Sequence, residues 1–233
     1  MTMFPANKGG LEQKIDVDRF GNVYFAVQGQ SGQAVTNTCA PTGDNTFPMC
    51  NISSPNAYQQ TPSIANGGSI QEINVGKFNN LLELVWSTGL GGDNNDYLYD
   101  IEVDDVTDHF YVVGATRSDP NLTLCQTPNN SNQFPICGSD AAYIENYRSD
   151  FDGFITRFNF DGELDWSTYY GGVASDLVTD IEVDLQGNIF ISGNSNSWTE
   201  AIVSCDVPNG FDGGLPWCWP VGAYNQTHVS GYT

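Results

Sequence analysis

Apolar and polar positions alternate with a period of two along residues 176–184, DLVTDIEVD. Leu177, Thr179, Ile181 and Val183 fall on one side, and Asp176, Val178, Asp180, Glu182 and Asp184 on the other. This is the pattern of a strand in a pleated sheet, where successive side chains point to opposite faces. A second alternating run follows at GNIFISGN. Elsewhere an irregular cysteine-bearing stretch is followed by GFITRFNF and then ELDWSTYYGG, both rich in β-branched and aromatic residues. No segment sustains a 3.6-residue apolar period for more than about two turns, so helix is expected to be scarce. Asp161-Gly162 predicts a tight hairpin with positive φ at both central residues. Phe20-Gly21-Asn22 and Gln186-Gly187-Asn188 predict the same link between first and second strands.

The runs recur. IDVDRFGNVYFAVQG from residue 15, IEVDDVTDHFYVVGAT from 101 and IEVDLQGNIFISGNS from 181 align, with starts 86 and 80 residues apart. Phe78 and Phe158, Trp86 and Trp166, and Gly91 and Gly171 are each 80 apart. A fixed period of this kind decides the architecture: each unit is one supersecondary piece whose apolar faces are buried by its neighbours. The expected fold is all-β, a β-propeller of four-stranded antiparallel blades. The whole of 1–233 is read as one repeat region with units at about 15–92, 93–172 and 173–233, the last incomplete, which makes two and a half to three blades.

The phrases DWSTYYGG, IEVD and GNIFISGNS, followed by Phe-Pro, Ala-Tyr and DGFITRF, resemble the SBBP-type bacterial β-propeller repeat of large secreted or surface proteins. Phe-Pro occurs as Phe47-Pro48 and Phe134-Pro135, with Leu215-Pro216 in the third copy. Ala-Tyr occurs as Ala57-Tyr58, Ala142-Tyr143 and Ala223-Tyr224. The resemblance implies the propeller fold and a bacterial source, and it carries no catalytic signature. These units are longer than the usual one, and the excess lies in the cysteine loops, where folds of this type place binding surfaces.

The chain has 28 acidic against 7 basic residues, a formal net charge of -21, which repels nucleic acid and anionic membranes. No run of about eighteen apolar residues is present to span a membrane, and the first residues do not read as a signal peptide. The six cysteines fall into pairs Cys39/Cys50, Cys125/Cys137 and Cys205/Cys218, separated by 11, 12 and 13 positions. Zinc ligands are paired more closely, so these read as disulfides and place the protein in an oxidising compartment, extracellular or at the cell surface. Each closed loop would contribute about 2.5 to 3 kcal/mol through the unfolded chain. Closed propellers need about four to eight blades. The chain is therefore read as part of a longer secreted protein, with completion of blades by another chain as the alternative.

Trp86, Trp166, Tyr169 and Tyr170 are candidates for a sugar-stacking platform, but a Trp repeated once per blade is expected to serve packing. Trp86, Trp166, Phe78 and Phe158 are assigned to inter-blade contacts. Asp96, Asp100, Glu102 and Asp104 recur as Asp176, Asp180, Glu182 and Asp184, and carboxylates on one strand are candidate calcium ligands. The competing expectation is that the Asp before each turn accepts backbone hydrogen bonds while the rest are solvated. DVDRFGN at 16–22 lacks the bidentate Glu of a calcium loop. The two histidines, His109 (read as mid-strand) and His228, have no nucleophile motif near them. The Asn-x-Ser/Thr triplets at Asn51, Asn121, Asn129 and Asn225 would be surface glycan acceptors in a eukaryotic secretory context, and with the bacterial source that the resemblance implies they are read as products of Asn-rich loops.

These readings point to a non-enzymatic extracellular scaffold or adhesion module that requires no cofactor, with calcium as a candidate ligand of its acids, and that binds a protein or glycan at its loop face. The alternatives are a filament subunit that self-associates through open blade edges, and a carbohydrate-active enzyme using a carboxylate pair.

Overall fold

A computed structural model describes residues 12–30, 35–37, 39, 47–50, 56–60, 70–121, 133–138 and 151–197. In chain order the strands are β1 (Gln13–Val17), β2 (Val23–Gln30), β3 (Val35–Asn37), β4 (Phe47–Met49), β5 (Gln71–Phe78), β6 (Leu84–Leu90), β7 (Asp96–Asp104), β8 (His109–Thr116), β9 (Pro120–Asn121), β10 (Phe134–Pro135), β11 (Asp152–Asn159), β12 (Leu164–Tyr170), β13 (Asp176–Val183) and β14 (Ile189–Ser195). Among the described residues there is no helix, and so none long and apolar enough to cross a membrane.

Two four-stranded antiparallel sheets, ordered β1-β2-β5-β6 and β7-β8-β11-β12, are followed by the two-stranded β13-β14. The chain forms part of a β-propeller, with each sheet a blade and β1, β7 and β13 adjacent as inner strands. WSTGL and WSTYY form β6 and β12, the last strands of their sheets. The parallel pairs β3-β4 and β9-β10 lie within the cysteine-bearing inserts. Their Phe-Pro motifs supply β4 and β10, which the alternation of the sequence does not announce.

The blades pack through alternating side chains. Between the first two sheets, Tyr24, Ala26, Ile73, Val75, Trp86 and Leu90 meet Leu98, Ile101, Phe110, Val112, Phe154 and Phe158. From the opposite face of the second sheet, Tyr111, Val113 and Ile155 meet Val178 and Ile181. The ring of Phe158 stacks on Phe110 with centroids 5.2 Å apart, and Trp86 lies 6.2 Å from Phe158. Such offset aromatic contacts add to the area they bury.

Strict alternation fails in β7 and β13. A bulge between Leu98 and Asp100 recurs between Val178 and Asp180 and inserts one residue, which shifts the phase of the strand. Val178 and Ile181, expected on opposite sides, therefore share one core cluster. The hairpins also differ from expectation. Asn159 accepts from Gly162 N–H at 2.9 Å and donates to Glu163 C=O at 3.0 Å, which makes a three-residue loop. Only Gly162 has positive φ there, 86°, and Asp161 does not. The same loop joins Asp18 to Asn22 and Asp184 to Asn188. At Asn79 to Glu83 the left-handed position is occupied by Leu82, φ 63°.

Candidate functional site

Two surfaces concentrate the unusual chemistry: the acidic inner strands and the cysteine-anchored inserts at the outer strands. On the inner strands, equivalent positions stand in rows. The cross-strand pairs Asp16 with Tyr24, Glu102 with Tyr111 and Glu182 with Phe190 define one row, Asp16, Glu102 and Glu182. A second row holds Lys14, Asp100 and Asp180, with Lys14 Nζ 3.9 Å from Asp100.

These carboxylates reach across from blade to blade. Asp16 Oδ2 accepts the Val103 N–H at 2.8 Å and Asp100 Oδ2 accepts the Ile181 N–H at 3.3 Å. β1 does not pair with β7, nor β7 with β13, so inner-edge amides that a neighbouring strand would otherwise satisfy are taken up by side chains. Burial pushes the Glu102 carboxyl up to about 7, and the neighbouring Asp16 and Glu182 add to it. Asp100 is also raised, chiefly by burial.

The remaining acids of the ladder serve other local structures. Asp104 Oδ1 accepts Val106 N–H at 2.9 Å and Thr107 N–H at 3.2 Å. Asp184 Oδ1 accepts Gln186 N–H and Asn188 N–H, both at 2.8 Å. Asp18 does the same for Phe20 and Asn22, both at 2.9 Å, so the acids of 16–22 diverge, one into its turn and one across the seam. Asp96 and Asp176 are buried at the blade-to-blade connections. Asp96 accepts Gly92 N–H at 2.8 Å, Ser118 O–H at 3.1 Å and the Thr116 hydroxyl. Asp176 accepts Gly172 N–H at 2.7 Å, Ser197 O–H at 2.6 Å and the Ser195 hydroxyl. Burial raises Asp96 to about 7 despite these donors. Among the described residues no three acids, histidines or cysteines are grouped to hold a metal. The eight calcium candidates are thus spread over turns, connections and seams.

The aromatic phrase lies largely inside. Trp86 and Tyr169 are fully buried, whereas Trp166 and Tyr170 are half-buried, so the four do not form one exposed platform. Trp86 is covered by the second sheet: its Nε1–H donates to Phe160 C=O at 3.4 Å, and a Cβ on Gly162 would come within 2.6 Å of its ring. Trp166 packs edge-on to Tyr111 with Arg157 over its face. Phe158 lies between the first two sheets. Phe78, assigned to the same role, packs with Phe25 and Met49 on the face of the first sheet turned away from the second.

The inserts are fastened to the outer strands. Cys50 and Ser87 exchange backbone hydrogen bonds of 3.2 and 2.7 Å, and Cys137 and Ser167 exchange bonds of 3.0 and 2.8 Å. The serine of each Trp-Ser-Thr phrase therefore anchors the second cysteine of its insert, a role the sequence signalled only through their shared period. Cys39 and Cys50 are disulfide-bonded, and Cys137 is also in a disulfide. Cys125, Cys205 and Cys218 lie outside the described residues. Further on, Tyr58 N–H donates to Gly162 C=O at 2.8 Å, and Gln60 N–H to Thr88 Oγ1 at 2.9 Å. Cys50 and Gln60 thus lie along the outer strand β6, and Ala57-Tyr58 docks against the next blade. Ala142-Tyr143 and Ala223-Tyr224 lie outside the described residues, as do Asn51, Asn129, Asn225 and His228. His109 opens β8 and is not mid-strand; its Nε2 lies 3.2 Å from Asp165.

Residues 165–197 match the family model described as SBBP, a beta-propeller repeat. The matched span runs from the last strand of the second sheet through the Asp176 connection to β14, so the matched segment straddles the seam between the second and third sheets. No curated protein matches the chain.

Proposed function

We propose that this chain, in which residues 165–197 match the SBBP beta-propeller repeat, is a non-enzymatic extracellular binding module that presents its cysteine-bearing inserts to a protein or glycan ligand. The observation behind this reading is the paired anchorage of Cys50 on Ser87 and Cys137 on Ser167. Each insert is pinned at its second cysteine to an outer strand, which restricts the loop and lowers the entropy lost on binding. The Cys39–Cys50 disulfide supports an oxidising compartment, and the net charge of -21 favours ligands that are neutral or basic.

The engagement of Asp96, Asp104, Asp176 and Asp184 by donors of their own blades supports a structural use for these acids over a carboxylate-pair hydrolase. Binding to arrays of glycans and extracellular proteins tests the proposal. A variant with residues 40–46 replaced by a Gly-Ser segment, both cysteines kept, is expected to fold and lose the ligand. Unchanged binding in that variant, or hydrolysis of an arrayed glycan, would overturn it.

A further inference from the structure

The internal seams provide a template for the outward faces of the first and third described sheets. At each seam the leading blade supplies an inner-strand carboxylate and a second-strand aromatic, and the following blade supplies an aliphatic pair and an outward amide. Asp16 with Tyr24 meets Ile101 and Val103 at the first seam, and Glu102 with Tyr111 meets Ile181 and Val183 at the second. Tyr24 and Tyr111 are 0 and 3% exposed, and Ile101 and Ile181 are 4 and 1% exposed.

The same parts are exposed on the first and third described sheets. In the third sheet Glu182 pairs with Phe190, and Phe190 is 59% exposed. In the first sheet Ile15 and Val17, at the positions of Ile101 and Val103, are 70 and 49% exposed. The Val17 N–H, whose counterpart on Val103 is held by the preceding blade, turns instead to the adjacent Asp16 Oδ1 at 2.7 Å. Charge follows the same sense: Lys14 on the first inner strand faces acids in its row, and Asp180 is the exposed acid at the far end of that row.

We infer that a second copy of this chain docks head to tail, with Glu182 accepting the Val17 N–H of the second copy and Phe190 covering its Ile15 and Val17. Asp180 then stands beside the second copy's Lys14, as Asp100 stands beside Lys14 within one chain. The contact is heterologous, so it leaves a free end on each copy until a ring closes. It goes beyond the binding role proposed above and does not depend on it.

Sedimentation velocity over a wide concentration range tests this with the full chain and two variants, Val17→Glu and Phe190→Glu, each placing a charge on one end only. Circular dichroism checks their folding, and Ile15→Glu replaces Val17→Glu if the latter fails to fold. The wild type is expected to gain mass with concentration and each variant to remain monomeric. An equimolar mixture of the two variants, which retains one intact pair of ends, is expected to form dimers and stop there. A wild type that is monomeric throughout, variants that associate like the wild type, or a mixture that stays monomeric would overturn the inference.

Discussion

Asp16 of the first blade accepts the amide N–H of Val103 of the second at 2.8 Å. Two inner strands that share no ladder are thereby joined through a side chain. Removing the acceptor in Asp16→Ala leaves a partly buried amide without its partner, a loss of about 1 to 2 kcal/mol after allowing for relief of repulsion with Glu102. Asp16→Asn keeps an oxygen in place and is expected to lose less than half of that. Urea unfolding of both variants measures the difference.

The two tryptophans of the repeated phrase are predicted to differ in energy. Trp86→Ala empties a fully buried site between two complete sheets and should cost about 3 to 5 kcal/mol. Trp166 is half-buried, and its removal should cost about 1 to 2 kcal/mol, as for a side chain that forfeits only part of its buried area. Equal losses in denaturant melts would contradict the packing described for the two seams.

Stability should rise on mild acidification. The carboxyls of Glu102 and Asp96 are each raised to about 7 in the fold, above their ordinary values of 4.5 and 3.8. The protonated forms are favoured by folding, so this contribution is complete below the ordinary values and is lost as pH rises through about 7. Asp18 is lowered by its turn hydrogen bonds, which outweigh its burial, and its contribution is lost only as pH falls below the ordinary range. The melting temperature is therefore predicted to be higher at pH 5.5 than at pH 8.5, and Glu102→Gln should shrink that difference. A melting temperature that rises steadily to pH 8.5 would count against the assignment.

Leu82 and Gly162 occupy the same left-handed turn position in successive blades. Leu82 is exposed, and replacing it with Gly is expected to stabilise the protein by about 0.5 to 1 kcal/mol by relieving an unfavourable backbone conformation. Gly162→Ala should destabilise by more than about 1 kcal/mol, since its new Cβ would also meet the Trp86 ring. Thermal melts of the pair give opposite signs if the turn assignment is right.

The period of the chain made the blades legible before any coordinates. Eighty-residue spacing, β-branched alternation and the recurring Trp-Ser-Thr phrase were enough for the fold and for the place of that phrase on the last strand. Alternation alone could not reveal the bulge at Tyr99 and Thr179, because the inserted residue is chemically ordinary. The signal lay on the partner strand, at Gly114 and Gly193. A Cβ at either would fall 1.9 Å from a carbonyl oxygen, that of Tyr97 or Leu177, so only glycine admits the bulge there. The acids misled for a related reason. They recur at a fixed spacing, yet Asp96, Asp104, Asp176 and Asp184 accept from amides of their own turns and connections, while Asp16 and Asp100 accept from the neighbouring blade.

Amide exchange at Val103 and Ile181, followed by NMR, tests most directly the claim that inner-strand carboxylates join the blades. Val103 N–H is predicted to be protected in the wild type and to exchange much faster in Asp16→Ala, with its neighbours on β8 unchanged. Asp100→Ala should act likewise on Ile181 alone. Rapid exchange of Val103 in the wild type, or protection that survives loss of the Asp16 carboxylate, would contradict the account.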